Sequence, residues 1–181
     1  MEFSQQIASF KSRPLHRGDA TALADFYKRN WAYLKPWLPA LAVHSQNPEV
    51  AKDMVARYLR EIVEGYSAYF VLAEPQTNRI LGRCNITQIA RGPFNACYLG
   101  YCLDQSLQGR GLMRKMCAQV IEHAFTGLKL HRIMANYMPH NNRSARLLKS
   151  LGFKVEGLAR DYLEINGKWE NHVLTALTRE T

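Results

Sequence analysis

Gln108-Gly109-Arg110-Gly111-Leu112-Met113 carries the clearest chemical signal in this chain. An apolar run of strand length, Tyr98 to Leu103, leads into it, and a stretch of helical period follows. Leu112, Met113, Met116, Cys117, Val120, Ile121, Ala124 and Phe125 form one apolar stripe, with Arg114, Lys115, Gln119 and Glu122 opposite. A strand that turns through glycines into a helix is an anion-binding device. The N–H groups of the first helical turn have no partner inside the helix, and the dipole favours negative charge there. Glycines let the backbone approach such a ligand closely. A nucleotide P-loop would need Gly-Lys-Ser/Thr, which is missing. A dinucleotide loop would place a third glycine where Arg114 stands. A plain tight turn would also fit these residues, so the loop alone does not name its ligand.

Further chemistry-bearing residues fall in two other stretches. Asn141 to Phe153 reads Asn-Asn-Arg-Ser-Ala-Arg-Leu-Leu-Lys-Ser-Leu-Gly-Phe, with Asn141 able to cap a helix. Trp31 to Pro39 is dense in aromatics and broken by prolines, and Trp31, Tyr33 and Trp37 could wall a pocket or simply pack. The four cysteines, at 84, 97, 102 and 117, form no C-x-x-C pair and sit in apolar runs. That pattern implies reduced, buried thiols in a cytosolic protein and no metal site.

The elements that must position these residues alternate between strand and helix patterns. A first strand is expected over Phe10–Arg17, with Pro14 tolerable on an edge, then a helix capped by Asp19 to about Asn30. Pro48 opens a second helix, to about Glu64. Strands follow at Tyr66–Ala73, Arg79–Ile89 and Phe94–Leu103. After the helix that ends near Gly127 come a strand at His131–Met138 and a helix from Asn141 to Gly152. Two long strands, Phe153–Ile165 and Lys168–Thr178, then flank Asn166-Gly167, a strong hairpin signal. This order describes one α/β or α+β domain over residues 1–181, with a core at about 10–178.

Hydrophobic residues make up 47% of the 181, enough for a real core. Met1 to Ala20 has no apolar signal-peptide region, and no run approaches membrane-spanning length. A cytoplasmic protein is expected. The formal charge of +9 favours an anionic partner: nucleic acid, a ribosome or a phosphorylated cofactor.

Taken together, the two motifs resemble the GNAT acetyltransferases. Gln108 and Gly111 match the Q/R-x-x-G-x-G/A pyrophosphate loop, with Met113 departing from its last position, and Asn141 to Phe153 is similar to the N-x-x-S/A…LGF segment. The similarity extends over roughly residues 10–178 and is strongest to the RimJ/RimL group, the RimJ type in particular. It is carried also by Leu34–Trp37, Ala96–Tyr101, His131–Asn141, Arg160–Leu163 and His172–Thr178. The resemblance implies a GNAT fold: a mixed, mostly antiparallel sheet of six to seven strands, helices on both faces, and a V-shaped splay between the central strands. It implies acetyl-CoA as cosubstrate, no metal, and transfer to the N-terminal amine of a protein, a ribosomal protein beginning with alanine.

The same resemblance assigns residues. Pyrophosphate would lie on the backbone of Gln108, Gly109, Arg110, Gly111, Leu112 and Met113, with Arg110 and Arg114 able to add charge-assisted bonds. Tyr101, Cys102 and Leu103 would run beside the pantetheine. Asn141 would touch the cofactor, and Ser144 would return a proton to the CoA thiolate. Apart from the resemblance, the aromatics Trp31, Tyr33 and Trp37 are the candidates to wall a substrate pocket. The general base is the departure. Relatives carry a Glu where Tyr98 stands, and the position of the RimL base holds Leu163. Strand alternation would put Asp161 on the face of Leu163, which makes Asp161 the expected base. Glu156, Glu164, His131, His140 and His172 are alternatives. An α-amine, with pKa about 7.7–8.0 against about 10.4 for lysine, needs little help from a base. The rival readings are acetyl transfer to a small amine and a ribosome- or RNA-associated assembly factor. Oligomeric state does not follow from these residues.

Overall fold

A computed structural model describes residues 11–39 and 44–179. Seven strands form one sheet: β1 (Lys11–Pro14), β2 (Ala68–Ala73), β3 (Ile80–Ala90), β4 (Ala96–Leu103), β5 (Arg132–Met134), β6 (Lys154–Ile165) and β7 (Lys168–Thr178). Their order is β1-β2-β3-β4-β5-β7-β6, and every pairing is antiparallel except β4 with β5. Four helices cover the sheet: α1 (Ala20–Leu34), α2 (Pro48–Val63), α3 (Leu112–Glu122) and α4 (Asn142–Ser150).

Alternation along the strands separates two cores. On one face, Tyr69 and Val71 of β2 pack with Leu23, Phe26 and Tyr27 of α1 and Val55 of α2. On the other, Cys84 and Ile86 of β3, Leu99 of β4 and Ile133 of β5 pack with Met116 and Val120 of α3 and Leu148 of α4. β4 feeds both. Leu99 and Tyr101 join the α3/α4 side, and Cys102 joins the α1/α2 side.

Local signals explain most boundaries. Asn47 caps α2, its side chain accepting from the Glu49 N–H, and Pro48 takes the first helical position. Asn166 and Gly167, at φ 50° and 81°, make the tight turn between β6 and β7. Pro14 sits on edge strand β1, where a missing N–H is tolerated.

Four expectations change. The first strand is shorter than Phe10–Arg17: β1 ends at Pro14, residues 17–19 turn, and Phe10 lies outside the described residues. Asp19 does not cap α1 with its side chain. Its buried carboxylate accepts from Arg13 at 2.8 and 2.6 Å and from the His16 N–H at 2.9 Å, tying β1 to the helix start. Helix α1 runs on past Asn30 to Leu34. The strand expected over His131–Met138 shrinks to Arg132–Met134, with Tyr137 keeping only a bridge to Val173.

Ile86 lies fully buried at the centre of β3. Ile86→Ala should lower unfolding free energy by about 2–5 kcal/mol through lost burial and a residual cavity, read from urea denaturation.

Candidate active site

The site begins where β4 and β5 part. They pair at Ala96–Arg132, Cys97–Ile133 and Tyr98–Met134, and no further. Beyond that point β4 stays with β3 through Leu103. The chain after β5 turns instead to β7: the Ala135 N–H donates to the Thr175 carbonyl at 3.0 Å, and the Tyr137 and Val173 backbones exchange bonds of 3.2 and 2.8 Å. The Thr175 hydroxyl also donates to the Ala135 carbonyl. A wedge opens between β4 and β5, with the backbone of Leu99 to Leu103 along one wall.

The glycine loop lies beyond the end of β4. Gly109 and Gly111 have φ of 74° and 73°, the left-handed region that side chains adopt at a cost. A Cβ built on either would meet nothing within 4 Å, so backbone and space are both open there. Gly111 caps α3, whose first turn carries no acid. Met113 is 8% exposed and packs in the core, which leaves its N–H, not its side chain, to the loop. These features fit an anionic pyrophosphate group.

What aims the loop is Asp104, which the sequence reading passed over. Its carboxylate accepts from the Ser106 N–H at 3.1 Å and Oγ at 2.7 Å, from Asn30 Nδ2 at 3.2 Å, and from the Arg29 guanidinium. Asn30 Oδ1 accepts from the Gln105 N–H at 2.9 Å, and Arg29 also donates to the Ile80 carbonyl at 2.8 Å. Burial pushes the Asp104 carboxyl up, but the bonds from Ser106, Asn30 and Arg29 outweigh it and hold the group below its ordinary value. The Asp-x-Ser spacing was the available signal for the turn. The Arg29 and Asn30 partners, about 75 residues away, had none.

On the α3/α4 side of the wedge, the Tyr101 hydroxyl comes near the Ser144 side chain, which acts to lower its pKa. Asn141 caps α4, its Oδ1 accepting from the Ser144 N–H at 3.1 Å. Tyr101, Asn141 and Ser144 thus come together. Burial raises the Tyr101 hydroxyl well above its ordinary value, so it stays protonated at neutral pH. The Cys102 side chain points to the opposite face, toward Arg83, and leaves only its backbone to the wedge.

On the α1/α2 side, four residues from four segments meet. The Tyr98 and Tyr162 hydroxyls lie 3.2 Å apart, Asn136 Nδ2 donates to the Tyr162 hydroxyl at 3.1 Å, and the His172 ring lies 5.5 Å from that of Tyr162. His172 is buried, with Nδ1 at 2.9 Å from the Glu170 carbonyl. The hydrogen bond from Tyr162, with some burial, pushes Tyr98 up to about 12.

Asp161 does not follow the expected alternation. Ala159 pairs with His172 and Leu163 with Glu170, so three residues of β6 face one of β7. Asp161 sits in this bulge at φ 43°, exposed, its N–H donating to Asn171 Oδ1 at 2.9 Å. Bulges re-aim side chains, and here Tyr162 is the one brought to the fork. Glu156 pairs with Arg132, and Glu164 is exposed. Of the aromatic stretch, Trp37 stacks obliquely on His140 at 5.4 Å, and Tyr33 lies under Arg143, 5.9 Å from its guanidinium. Both therefore approach the start of α4, beside Asn141 and Ser144. Trp31, two residues before Tyr33, projects from a different side of α1 and does not join them.

Comparison with known proteins places this geometry. Residues 12–154 match the family model described as acetyltransferase (GNAT) domain. The chain is 44% identical to the [ribosomal protein uS5]-alanine N-acetyltransferase of Escherichia coli, over 92% of this chain and 86% of that protein. It superposes with a TM-score of 0.90 on the ribosomal-protein-S5-alanine acetyltransferase of Vibrio fischeri, at 36% identity over 95% and 94% of the chains. With Mycobacterium smegmatis RimJ, solved in complex with CoA-disulfide, the TM-score is 0.84 at 29% identity, over 92% and 80%.

Asp104 supplies a pH test. Its carboxyl titrates lower in the folded chain, so its stabilising effect is present above the unfolded value of about 3.9 and is lost as pH falls through the folded value. Asp104→Asn should therefore unfold at lower urea than the parent protein at about pH 6, and the gap should narrow toward about pH 3.

Proposed function

This chain belongs to the GNAT acetyltransferases, and from that premise we propose that it moves the acetyl group of acetyl-CoA onto the N-terminal α-amine of a protein, a ribosomal protein beginning with alanine. The observation that carries the reading is the wedge where β4 and β5 part. One side presents a glycine loop fit for pyrophosphate, and the other a pair of tyrosine hydroxyls. The 44% identity to an enzyme named for an alanine acceptor supports the choice of acceptor.

On this reading the pyrophosphate rests on the N–H groups of Gln108 to Met113. The backbone of Tyr101 to Leu103 lines the pantetheine, and Asn141 holds the cofactor beside Ser144. The amine enters from the Tyr98 side, past a wall that includes Tyr33 and Trp37. Attack is direct, in a ternary complex. The new N–C bond forms as the C–S bond breaks, and the Ser144 hydroxyl passes one proton to the departing thiolate. The ammonium loses two protons in all: one restores the Ser144 hydroxyl and the other leaves to solvent. With an α-amine pKa of about 7.7–8.0, roughly a tenth or more of the acceptor is neutral at pH 7, so positioning does most of the work. The Tyr98 and Tyr162 hydroxyls can accept a hydrogen bond from the amine and orient its lone pair. Asp161, exposed on its bulge, is not needed as a base.

The basic charge has a place in the same reading. Residues 105–155 hold nine of the 24 Lys and Arg but one of the 15 Asp and Glu, Glu122, so α3, β5 and α4 carry most of the net charge. This surface would receive the cofactor phosphates and face ribosomal RNA. No helix among the described residues is long and apolar enough to cross a membrane, which suits a cytoplasmic enzyme.

Incubation with acetyl-CoA and peptides that offer an N-terminal Ala, an N-terminal Ser or an internal Lys should acetylate the α-amines, Ala first. Modification confined to the internal Lys would sink the proposal. kcat/KM should rise with pH to a plateau near the α-amine pKa, about 8. Ser144→Ala should lower kcat by about tenfold or less, since a thiol of pKa about 8.5 is a fair leaving group.

A further inference from the structure

The face that the acceptor would approach holds a second polar pair, Arg83 and Asn85 of β3. Both line a small cavity between the sheet and helices α1 and α2, together with Leu15, Leu23, Tyr58 and Tyr69. Asn85 is 7% exposed, and its side-chain amide makes no hydrogen bond to the described residues, its polar atoms being reached by solvent. The Arg83 guanidinium lies over the Tyr27 ring at 5.3 Å, with the Tyr58 hydroxyl at 3.5 Å. Among the described residues no carboxylate pairs with it. A guanidinium held over one aromatic ring without an anion, beside an amide that makes no bond to the protein, leaves donors free to meet an oxygen of a ligand.

The pair is close to the fork. Asn85 stands opposite Gly100 of β4, and Arg83 opposite Cys102. Gly100 is exposed, and a Cβ built on it would meet nothing within 4 Å, so the space above β4 is open. Tyr98 lies two residues along the same strand, about 6.6 Å from Gly100, and Asn85 about 5 Å across. An extended chain with its amine at Tyr98 would therefore bring its second or third residue to Asn85 and Arg83.

We propose that Arg83 and Asn85 form a subsite that holds an oxygen acceptor of the incoming chain's second or third residue, a side-chain carboxylate or a main-chain carbonyl. The guanidinium and the amide Nδ2 donate to that oxygen, so the subsite favours Asp or Glu and disfavours Lys or Arg at those positions. It also repels a polyamine, whose second ammonium would lie beside Arg83. The inference rests on the N-terminal acetyltransferase reading above.

The test is the KM for Ala-Asp-, Ala-Ala- and Ala-Lys-initiated peptides, and for the same three residues at position 3, with the intact protein and with Arg83→Met, Arg83→Lys and Asn85→Ala. The parent protein should show a KM about tenfold or more lower for Asp than for Lys at one of the two positions. Arg83→Met should abolish that difference and raise every peptide KM, while the acetyl-CoA KM stays within about twofold. Arg83→Lys should keep the preference for Asp over Lys in weaker form, and Asn85→Ala should raise peptide KM alone. If the oxygen held is a main-chain carbonyl, the parent will not separate Asp from Ala, but Arg83→Met will still raise both values. Thermal midpoints report folding, and should Arg83→Met fail to fold, the other two variants decide. Unchanged peptide KM in every folded variant overturns the subsite and leaves the acetyltransferase reading standing. If the parent protein acetylates no N-terminal amine, both fall together.

Discussion

Three residue pairs are all that β4 and β5 share, and the site depends on their parting. A parallel pair that continued would satisfy the backbone of Leu99 to Leu103 within the sheet. Because β5 stops at Met134 and the chain after it bonds to β7, that backbone edge faces an open wedge. Buried backbone groups demand partners. An edge inside the fold is tolerable where a ligand with its own amides can pair with it, as a pantetheine arm would. The irregular path of residues 135–137, held by the Thr175 hydroxyl and the Tyr137–Val173 bridge, is what keeps the strands apart.

A wedge positions nothing unless its ends are rigid. At the loop end, Asp104 converts the direction of β4 into the direction of α3. Its partners on α1 lie across the other face of the sheet, so the loop is clamped by a helix that it never touches in sequence. Asp19 does similar work at the start of α1. Burial disfavours its charge, yet Arg13, the His16 N–H and Asn78 hold its carboxyl below the ordinary value. Both ends of the α1 layer are therefore fastened by buried carboxylates with fully used oxygens. That arrangement stabilises only while every partner is present.

What could be read from the sequence was local. Helix stripes, the Asn166-Gly167 hairpin, the Pro48 helix start and the glycine loop all announce themselves within a few residues, and the structure keeps them. The family resemblance joined two such local signals into one expected cofactor site. What could not be read was non-local or irregular. Nothing near Asp104 announces Arg29 or Asn30. The bulge between Ala159 and Leu163 inserts two extra residues into β6, so a period-2 count from Leu163 assigns Asp161 to the wrong place and hides Tyr162. The expected strand over His131–Met138 has β-capable residues throughout. It ends early because its backbone partners change from β4 to β7, a choice made by tertiary pairing.

On the proposed reading, the acceptor class would follow from what stands at the fork. A lysine acceptor, with pKa about 10.4, is neutral in well under one part in a thousand at pH 7 and needs a group able to take its proton. The fork offers Tyr98 and Tyr162, hydroxyls that point at each other, and Tyr98 is pushed up to about 12 by that contact. Such a pair donates and accepts hydrogen bonds, and Tyr98 carries no negative charge at neutral pH. It suits an amine that arrives partly neutral. The carboxylates that sequence spacing brought to mind are elsewhere: Glu156 on Arg132, Asp161 and Glu164 at the surface of β6. Selection between α-amine and lysine thus needs no steric filter at the fork. On the proposed reading it can come from a fork that, among the described residues, brings two hydroxyls and His172 rather than a carboxylate to the amine.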